Sequence, residues 1–220
     1  MGVSPGETEA RIRARLELFE LQVSAAVVQQ ATAYFGLLAK WNDHLNMTSL
    51  DVGTPSPEAM DKLLVEPFLA ARLLPAGVVS GDQEPRLLDL GSGSGSPAVP
   101  LAISIPLRRL VMVESKSRKA AFLRDLIRRL PLPDAVVLHR RVEELRPSDL
   151  AGPADLVSIR AVKLPTKSWK ALADLMKPGG FLVWFRSRRR EGKAGTSPFE
   201  FESRHDLPGG SELAVLRRGA

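Results

Sequence analysis

The stretch LLDLGSGSGSP, residues 87–97, restricts the fold more than any other part of this chain of 220 residues. An apolar run ends in Asp89, and Gly91, Gly93 and Gly95 then recur at every second position. Glycines so placed let a backbone turn sharply at a strand end and approach a bound group with no Cβ in the way. Pro97 sits as a first-turn residue of a following helix. The pattern predicts strand, tight loop and helix, the opening unit of a sheet that binds a ligand beyond its strand ends. In the dinucleotide fingerprint the third glycine follows the second by three residues; here it follows by two, so the loop alone selects no cofactor.

From Arg86 onward, short apolar runs alternate with helical stretches. Strands are expected at 86–90, 110–114, 135–139, 155–159 and 181–185, with helices at about 97–104, 118–130 and 165–176 and a short one near 143–145. Such alternation implies βαβ units, a parallel sheet and right-handed crossovers. The last part, FEFESRHDLPGGSELAVL, reads instead as a hairpin closed by Pro208-Gly209-Gly210. Upstream, residues 7–47 show apolar positions at three- and four-residue spacing and read as helices. After a turn-rich break at 51–58, Ser56 could cap and Pro57 open a helix through Leu63, Leu64, Phe68, Leu69 and Leu73, with a loop from Pro75 to Pro85. The expected organisation is a helical region, 1–84, packed on an α/β domain, 85–220.

The absence of cysteine removes disulfides, thiolate metal sites and any thiol nucleophile, and suits a reducing, cytoplasmic compartment. His44, His139 and His205 are isolated, so no metal is expected. No run of about 18 apolar residues occurs and the first 15 residues are charged, which predicts neither a membrane span nor an export signal. The positive charge is concentrated. Residues 108–146 carry 11 Lys/Arg against five acids, and 186–193 carry five against one, leaving the remainder net acidic. Lysine and arginine clustered in this way are the footprint of a polyanion-binding surface, although a solvated helix face can share the composition. Lys116 just before the 118–130 helix, Arg118, Arg124 and Arg128 on it, and Arg186, Arg188, Arg189 and Arg190 after the fifth strand, are the candidate contacts for such a polyanion.

Glu114 ends the second strand, where a carboxylate can accept hydrogen bonds from both hydroxyls of a ribose. Nicotinamide dinucleotides and S-adenosyl-L-methionine both carry such a ribose, and a helix-flanking acid would look the same. The GSGSG loop, Asp155 at the start of a fourth strand, MKPGGFLVW at 176–184 and the final hairpin together resemble the seven-stranded, Rossmann-like sheet of class I methyltransferases. That resemblance implies S-adenosyl-L-methionine as cofactor and an antiparallel C-terminal strand. More narrowly, WNDHLNMTSL, LDLGSGSGSPAVPLAI, VESKSRKAAFLRDL, RVEEL and SIRAVKLP, in this order and spacing, resemble the bacterial small-subunit (16S) ribosomal RNA guanine-N7 methyltransferase family, also called glucose-inhibited division protein B.

The resemblance implies cofactor contacts at Asp89, Gly91, Gly93, Gly95 and Ser96. It puts Glu114, with Ser115 beside it, at the ribose, and Val142 and Glu143 beside the adenine. It makes Arg160 both a cofactor contact and the catalytic candidate, and matches Asn46 to a family asparagine that could also cap a helix. Three departures stand out: Gly93-Ser94-Gly95-Ser96-Pro97-Ala98 lacks an apolar lid residue, Lys62-Leu63…Glu66-Pro67 replaces Arg-His…Asp-Ser, and Arg186-Ser187 replaces Lys-Gly, the last two in regions expected to touch RNA. The expected partner is small-subunit ribosomal RNA or its particle, met by a monomer. Without cysteine the covalent route to pyrimidine C5 is closed, and no Asn/Asp-Pro-Pro-aromatic stretch points to an exocyclic amine. Guanine N7 needs no general base. The alternatives are a paralogue acting on another RNA or a small molecule, a non-catalytic RNA-binding module, and a dinucleotide-dependent oxidoreductase.

Overall fold

The computed structural model describes residues 3–79, 83–162, 165, 168–187 and 196–219. Helix α1 (Pro5–Leu18) starts where the Ser4 hydroxyl accepts the Glu7 N–H, with Pro5 in its first turn. Helix α2 (Ala25–Leu45) starts likewise at Ser24, and stops at Asn46 in the left-handed conformation, φ 46°. Asn46 therefore ends a helix through its backbone, while the Asn42 side chain accepts the Thr48 N–H. Ser56 caps α3 (Pro57–Met60) as expected, with its hydroxyl accepting the Ala59 N–H.

The segment after α3 departs from a plain helix. The chain stays helical through a π turn (Asp61–Val65) into α4 (Glu66–Arg72), and the Glu66 N–H bonds to the Asp61 carbonyl five residues back. Pro67 explains what is left over. It has no N–H, so the Lys62 carbonyl, five residues before it, and the Leu63 carbonyl, four before it, both lose that donor. The expected loop after Pro75 contains a further short helix, α5 (Ala76–Val79).

Seven strands form one sheet: β1 (Arg86–Leu90), β2 (Arg109–Val113), β3 (Ala135–Leu138), β4 (Ala154–Arg160), β5 (Met176–Ser187), β6 (Phe199–Leu207) and β7 (Ser211–Arg218), in the order β3-β2-β1-β4-β5-β7-β6. The first five are parallel, and β7 enters antiparallel between β5 and β6. Between them run α6 (Ala98–Ser104), α7 (Ser117–Arg129) and α8 (Ser168–Asp174), with 3-10 turns at Val142–Glu144, Pro147–Asp149 and Pro208–Gly210. Strand β5 begins five residues earlier than its apolar run suggests, because a bulge at its start lets the Lys177-Pro178-Gly179-Gly180 segment follow β4. Helix α8 ends two residues earlier than expected.

Side-chain alternation assigns each strand residue to one of two cores. Leu87, Leu110, Met112, Leu156, Val183 and Phe185 face a core shared with α1, α2, α4, α6 and α7; Leu88, Leu90, Val111, Val113, Val157, Ile159 and Leu182 face Trp169 and Leu172 of α8. By the same alternation Asp89, Ser158 and Arg160 project to the face covered by the N-terminal helices. Helices α2 and α7 are joined at Asp125, which accepts from the Trp41 indole N–H at 3.1 Å and from Arg129 and Arg128 at 3.0 and 3.2 Å. Burial pushes the Asp125 carboxyl up, but the Trp41 and arginine donors outweigh it and hold it below the ordinary carboxylate range. Its contribution is thus present above about pH 4 and lost as pH falls below that. Urea melts of Asp125→Asn should show a deficit of about 1 kcal/mol at pH 7 that shrinks as pH falls below about 4.

Candidate functional site

The strand order reverses beside β1, so the loops after β1 and β4 diverge and leave a crevice at their carboxyl ends, the usual ligand position in an open α/β sheet. Three groups converge there: the glycine loop after β1, Glu114 just past β2, and Arg160 at the end of β4.

The loop is fixed from both sides. The N–H groups of Gly91 and Ser92 both donate to the Val113 carbonyl at 2.9 Å, and the Glu114 carboxylate accepts from Gly93 N–H at 2.9 Å and Lys116 N–H at 2.8 Å. Glu114 thereby ties the loop to the start of α7 and keeps one further lone pair on each oxygen. Gly91, at φ +72°, must be glycine: a Cβ there would meet Val162 Cγ2 at 2.4 Å. From α2, the Tyr34 hydroxyl donates to the Ser94 carbonyl at 3.0 Å and its ring lies against Gly95. Burial raises the Tyr34 pKa well above its ordinary value, so the hydroxyl remains a donor. Lys119 donates to the Met47 carbonyl at 3.1 Å, tying the segment after α2 to α7 beside Gly93.

Arg160 is held more tightly than a surface arginine. Its Nη1 donates to the freed Lys62 carbonyl, its Nη2 lies 3.0 Å from Glu66 Oε2 outside hydrogen-bond alignment, and its guanidinium sits 4.4 Å above the Phe185 ring. The other freed carbonyl, of Leu63, accepts the buried Ser96 hydroxyl at 3.0 Å. Both acceptors left over by Pro67 are therefore used by expected site residues. Of the Lys62-Leu63…Glu66-Pro67 departure, Leu63, Glu66 and Pro67 are buried and so present no surface to RNA, while Lys62 is partly exposed. Neither Glu66 nor Tyr34 was expected at the site; the sequence signal for Glu66 is an acid beside a proline inside an apolar helix.

The remaining expected residues are spread along the rim. Val142 is half-buried and Glu143 exposed in the 3-10 turn after β3, and Ser115 is exposed, its carbonyl 3.0 Å from His139 Nε2. Lys116, Arg118, Arg124 and Arg128 are exposed, Arg128 with Asp125 as partner. Arg186 pairs with Glu212 opposite it on β7 and lies over Trp184, so its charge is already engaged. Arg188, Arg189 and Arg190 lie outside the described residues. A cleft of about 980 Å³ between α1, α2 and the end of α7 includes none of these site residues. Among the described residues no helix is long and apolar enough to cross a membrane, and no group of three acids or histidines could hold a metal.

Asp89 is fully buried beneath the loop; Ser158 donates to its Oδ1, and Oδ2 has no partner among the described residues. Burial pushes its pKa up to about 6, against the pull of Ser158 and Arg160. A raised carboxyl gives stability that is present below about pH 4 and lost as pH rises through 6, a cost near neutrality of about 3 kcal/mol. Thermal melts should therefore find Asp89→Asn more stable than the parent chain at pH 7.5, with the difference gone by about pH 4, even if ligand binding suffers.

The fold is shared with the putative methyltransferase yhhF of Escherichia coli (TM-score 0.56, 14% identity, 71% of this chain and 86% of that one). It is also shared with an rRNA methylase of Streptococcus thermophilus (TM-score 0.53, 14% identity, 70% and 97%). Sequence relatives named ribosomal RNA small subunit methyltransferase G include those of Nitrosococcus oceani, 32% identical over 85% of this chain and 81% of that one, and Neisseria meningitidis serogroup A, 31% identical over 92% and 93%. The family model for rRNA small subunit methyltransferase G matches residues 27–206, from α2 through most of β6, and the chain belongs to that family.

Proposed function

We propose that this chain transfers a methyl group from S-adenosyl-L-methionine to N7 of a guanine in small-subunit ribosomal RNA. The observation that carries the reading is that the family match, residues 27–206, spans every residue gathered at the β1–β4 crevice. The chemistry of those residues suits the cofactor. Asp89 Oδ2 and Arg160 Nε, one anionic group and one cationic, are buried without hydrogen-bond partners among the described residues at the ends of adjacent strands. A zwitterionic amino-acid moiety is the complementary ligand, its ammonium to Asp89 and its carboxylate to Arg160. The free lone pairs of Glu114 suit ribose hydroxyls, and the turn carrying Val142 and Glu143 lies on the adenine side in this reading.

The cofactor supplies an electrophilic methyl on a sulfonium. The protein's own part is mainly to place the base and hold the site dry, since N7 carries an unprotonated lone pair and needs no general base. Arg160 follows from the same point. A donor bonded to N7 would occupy the lone pair that must attack, so Arg160 serves by holding the cofactor's carboxylate and leaves N7 open. Lys116, Arg118 and Arg124 present exposed charge along α7 for phosphates.

Mass mapping of small-subunit RNA from a strain lacking this gene should show one guanine methylation lost and restored by the parent gene; an unchanged map refutes the target. Arg160→Ala should reduce methylation of subunits by about 100-fold or more while keeping a cooperative melt. Glu114→Ala should weaken S-adenosylhomocysteine binding by about 10-fold or more in calorimetry. Reversing Arg118 and Arg124 to Glu should weaken RNA binding and flatten its salt dependence without changing cofactor affinity.

A further inference from the structure

Glu66 is a carboxylate 1% exposed in a helix whose neighbours Leu63, Leu64, Val65 and Phe68 are core residues. A leucine there would satisfy the core, and an unpaired buried carboxylate would be strongly unfavourable, so its partners carry the explanation. They are Arg160, at 3.0 Å, and Lys62, whose Nζ lies 3.4 Å from Oε1 and donates to the Ser211 hydroxyl at 2.6 Å. Arg160 is thus fixed in three directions: Nη1 by the Lys62 carbonyl, Nη2 by Glu66, and the guanidinium plane by Phe185. Nε, buried and without a hydrogen-bond partner among the described residues, is the donor left over for an anion. Arg160, Glu66 and Lys62 together keep one net positive charge, so the bracing does not cancel the attraction for an anion.

We propose that Glu66, seated by the π turn before Pro67, is a positioning residue that aims Nε of Arg160 at the carboxylate of the methyl donor. The same turn holds the cofactor loop through Ser96 and the Leu63 carbonyl, so one helical irregularity sets both sides of the amino-acid subsite. The proposal rests on the reading of Arg160 as the carboxylate contact.

Calorimetry with two probes tests it: S-adenosylhomocysteine, and methylthioadenosine, which keeps the nucleoside and lacks the amino-acid moiety. In the full chain, Glu66→Gln should weaken S-adenosylhomocysteine by about 10-fold and methylthioadenosine by less than about 2-fold, with Glu66→Asp recovering part of the loss. Combined with Arg160→Ala, Glu66→Gln should add nothing further to the loss that Arg160→Ala causes. Equal weakening of both probes, or of neither, overturns the proposal. If Glu66→Gln fails to melt cooperatively, Pro67→Ala decides, since it restores an N–H that competes for the two carbonyls: the same selective loss supports the proposal, and unchanged affinities overturn it. Failure of the parent chain to bind S-adenosylhomocysteine would overturn the cofactor reading and this inference with it. An unselective Arg160→Ala would overturn the carboxylate assignment first.

Discussion

A guanidinium that ends a central strand and turns into the covered face of its sheet has to be met by lone pairs and by charge. Arg160 imposes that requirement here, and much of the surrounding architecture answers it. Strand alternation sends Arg160 towards the N-terminal helices, where Glu66 supplies the charge and the Lys62 carbonyl supplies the lone pair. That carbonyl is available because the π turn takes the Glu66 N–H to Asp61 and Pro67 has no N–H to offer in its place. A helix defect, normally a loss of stability, becomes a source of acceptors at the place where a buried cation needs one.

The same face explains why the helices before residue 85 belong to the site's physics. Tyr34 of α2 braces the glycine loop at Ser94 and Gly95, Trp41 of α2 anchors Asp125 of α7, and Lys119 of α7 reaches back to the Met47 carbonyl. Glu114 then links the loop to α7 by two backbone N–H groups. Gly91, Gly93 and Gly95 bring no side chains to the loop, so its shape depends largely on these neighbours. Loosening α2 would therefore be felt at the loop even though α2 contributes no expected cofactor contact.

Much of this was legible in the sequence because it is local. The short apolar runs LLDL and LVMV, the three- and four-residue spacing of α2, the serine cap at 56 and the Pro208-Gly209-Gly210 reversal all report their elements directly. Glycine spacing and a strand-end acid likewise locate the crevice. Side-chain pairing between distant segments was not legible. Nothing in RAV or in VEP announces that Arg160 and Glu66 meet, and the partnership of Arg186 with Glu212 depends on the register of two antiparallel strands. Pro67 was visible, but a proline in a helix can signal a kink, an end or a π turn, and tertiary packing chooses among them. The early start of β5 has a related cause: the bulge follows the path of β4, which composition does not report.

Strand β7 lies between β5 and β6, and its first residue, Ser211, takes the hydrogen bond from Lys62 that steadies Glu66. Synthesis runs from the N-terminus, so the helices and the five parallel strands leave the ribosome before the strand that completes their electrostatic brace. Until β7 is in place, Lys62 lacks its Ser211 anchor and β6 lacks the strand it pairs with. The competence of the crevice is thereby tied to β7, a strand made long after most of the residues that line it.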